Sequence, residues 1–134
     1  MSKPTSSDPA GVDGAPAAAP GAAVVAVVKD LFFVARIKET ARLVGVPLSF
    51  ARSPDELKTA LGAAPRFVLL DLTGDFDHDA ILSATAAQRV PVLAFTTHAL
   101  ARETQPWHAR CARVVTKETL TRELPSLLRD GVAT

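Results

Sequence analysis

Residues that can carry phosphoryl or metal chemistry stand at the ends of four apolar segments of this 134-residue chain. These end groups are Lys29-Asp30, Asp71, Thr96-Thr97 and Thr116-Lys117. A carboxylate such as Asp71, which closes the run FVLLD, has two readings. It either stops a strand and caps the turn that follows, or serves as a nucleophile at the edge of a parallel sheet where the carboxyl ends of the strands lie. The surrounding elements decide whether the four groups meet.

The pattern predicts an α/β fold in which five strands alternate with five helices. Continuous apolar runs indicate strands at 22–28, 47–51, 66–72, 90–96 and 112–116. Amphipathic or capped segments indicate helices at 31–44, 53–62, 77–88, 99–109 and 119–129. Such alternation favours a doubly wound parallel sheet with helices on both faces. Sites in such sheets form outside the carboxyl ends of the strands, so we expect the four end groups to share one rim.

The composition of the chain indicates where the folded domain begins and in which compartment the protein is expected. Residues 1–22 are rich in Ala, Pro and Gly and predict a disordered tail, which leaves 23–131 as one domain. A net charge of +1 does not indicate the excess of positive charge typical of proteins that bind nucleic acid. The longest apolar run is too short and too interrupted to cross a membrane. A single cysteine and the lack of a signal peptide's pattern predict a cytoplasmic protein.

Three of the strand segments carry a resemblance to a known family. VLLDL at 68–72, PVLAFTTHA at 91–99 and VVTK at 114–117 resemble the receiver domain of two-component response regulators, of the chemotaxis-regulator type. The likeness covers 24–129. It implies a flavodoxin-like (βα)5 sheet with strand order 2-1-3-4-5, and a signalling role rather than an enzymatic one. In that family an aspartate takes a phosphoryl group from a histidine kinase with the help of Mg²⁺.

The resemblance assigns a role to five residues. Asp71 matches the phospho-acceptor. Asp30, Asp71 and the backbone carbonyl of Thr73 match the Mg²⁺ ligands, and Thr96 and Lys117 match the residues that contact the phosphoryl oxygens. These types suit the chemistry, because a carboxylate can form an acyl phosphate and a hard cation takes oxygen ligands.

The chain also departs from the family pattern. The usual pair of acids after the first strand is Lys29-Asp30 here, and a one-residue slip of the alignment puts Lys29 rather than Asp30 at the ligand position. Val114 replaces the aromatic residue that rotates in the fifth strand, and Glu118 replaces a proline. A cation near the metal position opposes Mg²⁺, so these changes indicate an atypical or pseudo-receiver whose Mg²⁺ binding is weak or absent.

Three functions are compatible with this sequence. The first is a stand-alone receiver-like module that acts by protein–protein contact with a degenerate phosphorylation site. The second is a single-domain response regulator that a histidine kinase phosphorylates on Asp71 in a phosphorelay. The third is a small flavodoxin-like ligand binder, which the lack of glycine loops and of aromatic residues near the strand ends disfavours.

A partner, or a second copy in a homodimer, is expected on the face made by the fourth helix, the fifth strand and the fifth helix. Trp107 and Val114 are the candidate contacts, and the alternative is that Trp107 fills a groove beside the fifth strand. Pro106 is expected to interrupt the fourth helix.

Two further expectations concern charged or titratable side chains near the rim. His78 is interpreted as a solvated residue at a helix start. If Asp71 is not phosphorylated, the alternative is that its carboxylate forms an internal ion pair with Lys117 or Lys29.

Overall fold

A computed structural model describes residues 22–132 of the chain, so the predicted tail lies almost entirely outside the described residues. The described part contains no helix that is both long enough and apolar enough to cross a membrane.

Five strands form one parallel sheet. They are β1 (Val24–Val27), β2 (Leu48–Phe50), β3 (Phe67–Asp71), β4 (Val92–Thr96) and β5 (Arg113–Thr116). Their order across the sheet is β2-β1-β3-β4-β5, which confirms the flavodoxin-like topology predicted from the sequence. The three central strands are buried on both faces, as their continuous apolar sequence requires.

Within residues 22–132, six helices cover the two faces of the sheet. They are α1 (Leu31–Val44), α2 (Pro54–Leu61), α3 (His78–Ala87), α4 (Ala101–His108), α5 (Lys117–Arg122) and α6 (Leu124–Asp130). The apolar side chains of α1, α5 and α6 pack on one face, and those of α2, α3 and α4 pack on the other. Alternate residues of each central strand supply these two cores, because successive side chains of a strand point to opposite faces.

The C-terminal helical segment differs from the sequence prediction. The single helix expected at 119–129 is two short helices that meet at Glu123. Pro125 explains the break, because it has no amide hydrogen and its ring clashes with the carbonyl of Thr121 in a continuous helix. The new start at Leu124 accommodates the proline in the first turn of α6, where no intrahelical amide bond is needed.

Pro106 does not interrupt α4, contrary to expectation. The helix runs on to His108 with the proline inside it. Pro106 is exposed and lies in the last turn, so the helix loses one backbone hydrogen bond near its end rather than in its middle.

Candidate functional site

The four polar end groups do lie at one edge of the sheet. Asp71 pairs in register with Phe95, and Thr96 pairs with Thr116 on the next strand, so β3, β4 and β5 end at the same level. Lys29 and Asp30 follow β1, which runs parallel to β3 on its other side. This rim, defined by residues 29–30, 71–75, 96–97 and 116–117, is the candidate site.

Asp71 is buried, with 5% of its surface exposed. Its Oδ1 accepts hydrogen bonds from the backbone amide of Thr73 at 2.8 Å and from the Thr73 hydroxyl at 2.6 Å. These bonds cap the turn after β3, as a strand-ending aspartate does. The other oxygen, Oδ2, makes no hydrogen bond within residues 22–132 and lies beside Gly74. One oxygen of the candidate acceptor is therefore engaged and the other is not.

Asp30 is held by both of its carboxylate oxygens. Oδ1 caps α1 by accepting from the amides of Phe32 and Phe33, and Oδ2 accepts from Lys117 Nζ at 3.3 Å. The Phe33 amide first, and then Lys117, hold the pKa of the Asp30 carboxyl below its ordinary value. Because folding lowers this pKa, the ionised carboxylate stabilises the fold at neutral pH. That contribution is lost as the pH falls through the lowered pKa.

Substitution of Lys117 tests which contact controls Asp30. In Lys117→Met we expect the pKa of Asp30 to rise but to stay below its ordinary value, because the Phe33 amide remains in place. A ¹³C-detected NMR titration of the Asp30 carboxyl measures the change, and Lys38→Met is the matched control on an exposed lysine. An unchanged pKa of Asp30 in Lys117→Met would show that the ion pair does not form in solution.

Both lysines of the rim bind carboxylates other than Asp71. Lys29 Nζ lies 3.6 Å from Asp75 Oδ2 and 3.2 Å from the Asp75 carbonyl, and it stands 5.6 Å from the ring centre of Phe76. Lys117 pairs with Asp30. The alternative in which either lysine pairs with Asp71 is therefore wrong for this arrangement. Each lysine finds a more exposed acid nearby, while Asp71 is buried and already bonded to Thr73.

The rim as arranged does not fit a Mg²⁺ ion. Within the described residues, no three side chains of the types that ligate metals come together. Both oxygens of Asp30 and one oxygen of Asp71 are already engaged, and the Lys29 ammonium lies along the same edge. Mg²⁺ requires several oxygen ligands in near-octahedral geometry, so a bound ion would have to displace the Lys117–Asp30 pair.

Thr96 is buried and its hydroxyl is directed to α4. The Thr104 hydroxyl lies 3.1 Å from Thr96 Oγ1 and 2.9 Å from His108 Nε2, which links the end of β4 to the last turn of α4. This contact connects Thr96 to α4, which belongs to the face on which a partner is expected. It also engages the hydroxyl that the resemblance assigns to a phosphoryl oxygen.

His78 is a site residue that the sequence reasoning missed. It is buried at 6% exposure, and its Nε2 lies 3.0 Å from the backbone carbonyl of Asp71. The interpretation as a solvated helix-start residue is wrong, because the first turn of α3 is covered by Trp107. The stripe of His78, Ile81, Leu82 and Thr85 at helical spacing was the signal that could have found it.

Trp107 packs against α3. Its ring centre lies 4.6 Å from that of His78, and its Nε1 donates to Asp79 Oδ1 at 3.3 Å. Its side chain is half-buried and joins the apolar core on that face, together with Val114. Trp107 therefore fills a groove beside α3, on the same face of the sheet as Val114 of β5. Arg110 reinforces the contact with an ion pair to Asp79 at 2.7 Å.

Comparison with known proteins identifies the fold. Neither a protein-family model nor a curated protein sequence matches the chain. Solved structures do. The receiver domain of the sensor histidine kinase PA1611 from Pseudomonas aeruginosa, which holds a magnesium ion in its active-site cleft, has a TM-score of 0.68 and 19% identity over 85% of this chain and 99% of its own. A receiver domain from Clostridium thermocellum has a TM-score of 0.65 and 13% identity over 83% and 94%.

A third neighbour is the chemotaxis response regulator CheY4 of Vibrio cholerae, with a TM-score of 0.59 and 20% identity over 79% of this chain and 98% of its own. The resemblance to receiver domains is thus confirmed at the level of the fold. Identities this low establish the architecture, and the roles of individual residues have to be argued from the rim itself.

Proposed function

We propose that this protein is a receiver-like signalling module that acts by protein–protein contact, with a degenerate metal and phosphorylation site. The observation that carries the proposal is the Lys117–Asp30 ion pair across the rim. It joins the residue matched to the phosphate-contacting lysine to the residue matched to the metal-ligating acid. In this arrangement Lys117 Nζ donates to Asp30 Oδ2, so each charge already has a partner of opposite sign.

The charges along the rim support the same conclusion. Lys29 adds a cation where the family pattern has an acid, and it is itself held by Asp75 and the Phe76 ring. Both ion pairs are partly or fully exposed, so solvent screens them and each contributes little to the stability of the fold. Their effect is on the site: the groups that would recruit Mg²⁺ are occupied or opposed.

A second candidate function is a single-domain response regulator phosphorylated on Asp71. One observation favours it, because Asp71 Oδ2 makes no hydrogen bond within the described residues and is the oxygen that could attack a phosphoryl donor. The half-exposed Lys117 could then leave Asp30 for the new phosphoryl group at little energetic cost. In this case a histidine kinase is the partner and Mg²⁺ the cofactor.

Acetyl phosphate separates the two functions. We expect no gain of a phosphoryl group after incubation of the full chain with acetyl phosphate and Mg²⁺, under conditions that modify an ordinary receiver domain run in parallel. Intact mass spectrometry at low temperature, with Asp71→Asn as the control for the site, makes the measurement. A phosphoryl adduct that disappears in Asp71→Asn would establish the second function and overturn the first.

We propose two surfaces at which a partner could bind. Trp107 and Val114 lie on the predicted face, but both are partly buried against α3 and the core. The large apolar side chains with most exposure belong to α1, where Phe32 is 91% and Leu31 is 78% exposed. Exposed aromatic side chains are enriched at protein interfaces, so α1 is a second surface at which a signalling partner or a second copy could dock.

A further inference from the structure

An open cavity of about 390 Å³ lies between the β3–α3 loop and α4, next to the rim. Its lining combines three rings with three acids: Phe76, His78 and Trp107, and Asp77, Asp79 and Glu103. Among the described residues, no lysine or arginine lines it. Its volume is in the range of pockets that hold small molecules.

The rings provide faces that attract a cation. The electron-rich faces of aromatic side chains draw alkylammonium groups, and cages of aromatic residues with nearby acids recognise such groups in water. Trp107 and His78 are fixed against each other at 4.6 Å, so these two rings need little ordering when a ligand binds.

The acids give the cavity its charge. Asp77 caps α3, and Asp79 is paired with Arg110 from outside the cavity. Glu103 makes no hydrogen bond or ion pair within residues 22–132, and it is exposed on α4 at the cavity edge. The lining thus keeps an uncompensated negative charge, which favours a cation over a neutral or anionic ligand.

His78 adds a directional contact. A backbone carbonyl can only accept, so the bond to Asp71 places a hydrogen on Nε2 and leaves the lone pair of the neutral ring on Nδ1. Nδ1 makes no hydrogen bond to any described residue, although His78 is buried with only 6% of its surface exposed. A buried acceptor without a partner favours a ligand that carries a hydroxyl or amine donor.

From this geometry we infer that the cavity between the β3–α3 loop and α4 binds a small organic ammonium ion that carries a hydrogen-bond donor. The cation lies against Trp107 and Phe76 near Glu103, and the donor reaches His78 Nδ1. The site uses neither Asp30 nor Lys117, but its Phe76 ring also faces the rim, since the ring centre lies 5.6 Å from Lys29 Nζ.

Choline and its uncharged isostere dimethylbutanol, in which carbon replaces nitrogen, test this site. Trp107 is the only tryptophan of the chain, so intrinsic fluorescence of the full-length protein reports on the cavity alone. We expect a saturable fluorescence change with choline, and binding of dimethylbutanol that is weaker by about tenfold. Equal responses to the two compounds, or no saturation with choline, would overturn the proposal.

Two variants assign the binding to the cavity. Glu103→Gln is expected to weaken choline binding by about three- to tenfold because the carboxylate charge is lost, and Phe76→Leu is expected to weaken it to a similar degree because the ring face is lost. Glu118→Gln, an exposed acid on α5, is the matched control and should bind choline like the unaltered protein. Unchanged binding in both cavity variants would place the choline elsewhere and refute the site.

Discussion

Lys29→Asp is expected to strengthen Mg²⁺ binding by about tenfold or more, because it removes a repelling cation from the rim and adds a carboxylate ligand. The substitution also releases Asp75, whose carboxylate is paired with Lys29 in the unaltered protein. The rim would then carry the two adjacent acids that the receiver pattern has after its first strand. Isothermal titration with MgCl₂ measures the affinity of both proteins.

Lys38→Asp is the control for this experiment. It makes the same change of net charge on an exposed lysine in the middle of α1, away from the rim. We expect its Mg²⁺ affinity to stay near that of the unaltered protein, since solvent and salt screen distant exposed charges. Equal or weaker Mg²⁺ binding in Lys29→Asp would mean that Lys29 is not what opposes the ion, and the explanation would then rest on the Lys117–Asp30 pair alone.

Trp107→Ala is expected to lower the free energy of unfolding by about 2–3 kcal/mol. This loss is near the lower end of the range for truncation of large core side chains, because the indole is only half-buried. The variant removes the ring that covers His78 and the hydrogen bond to Asp79. Urea unfolding followed by circular dichroism gives the measurement without relying on the lost tryptophan.

Phe32→Ala serves as the matched control for Trp107→Ala. Its ring is 91% exposed, so its removal should change the stability by no more than about 0.5 kcal/mol. If Trp107→Ala instead leaves the stability unchanged and weakens self-association or partner binding, Trp107 would be an interface residue, as the sequence first suggested. A change in Phe32→Ala of the size expected for Trp107→Ala would show that the start of α1 is covered in solution.

The sequence pattern alone was enough to predict the parallel sheet, whereas the strand order came from the resemblance to receiver domains. The β-branched run of β1 and the short apolar runs of β3 and β4 favour buried strands, and the helical stripe of Phe33, Ile37 and Ala41 indicates the buried face of α1. These signals are local and periodic, so one chain carries them without further information. The same reasoning placed Asp71, Thr96 and Lys117 at one edge, because parallel strands share their carboxyl ends.

Sequence reasoning was weaker where a local rule competes with another. The stripe of leucines predicted one C-terminal helix, but Pro125 breaks it into α5 and α6. In α4 the opposite happened, since Pro106 sits close enough to the helix end to be tolerated. In both cases the position of the proline along the helical segment, rather than its presence, decides whether the helix continues or breaks.

Only the tertiary structure decided which partner each polar group of the rim has. Lys117 and Asp30 are far apart in the chain and meet because β5 and β1 end at the same edge, and Lys29 turns to Asp75 for the same reason. His78 lies on the buried stripe of α3, but the ring that covers it, Trp107, comes from α4, and no pattern within α3 specifies that contact. Charge pairing and burial depend on distances between separate elements. A sequence places residues on elements, and packing alone fixes those distances.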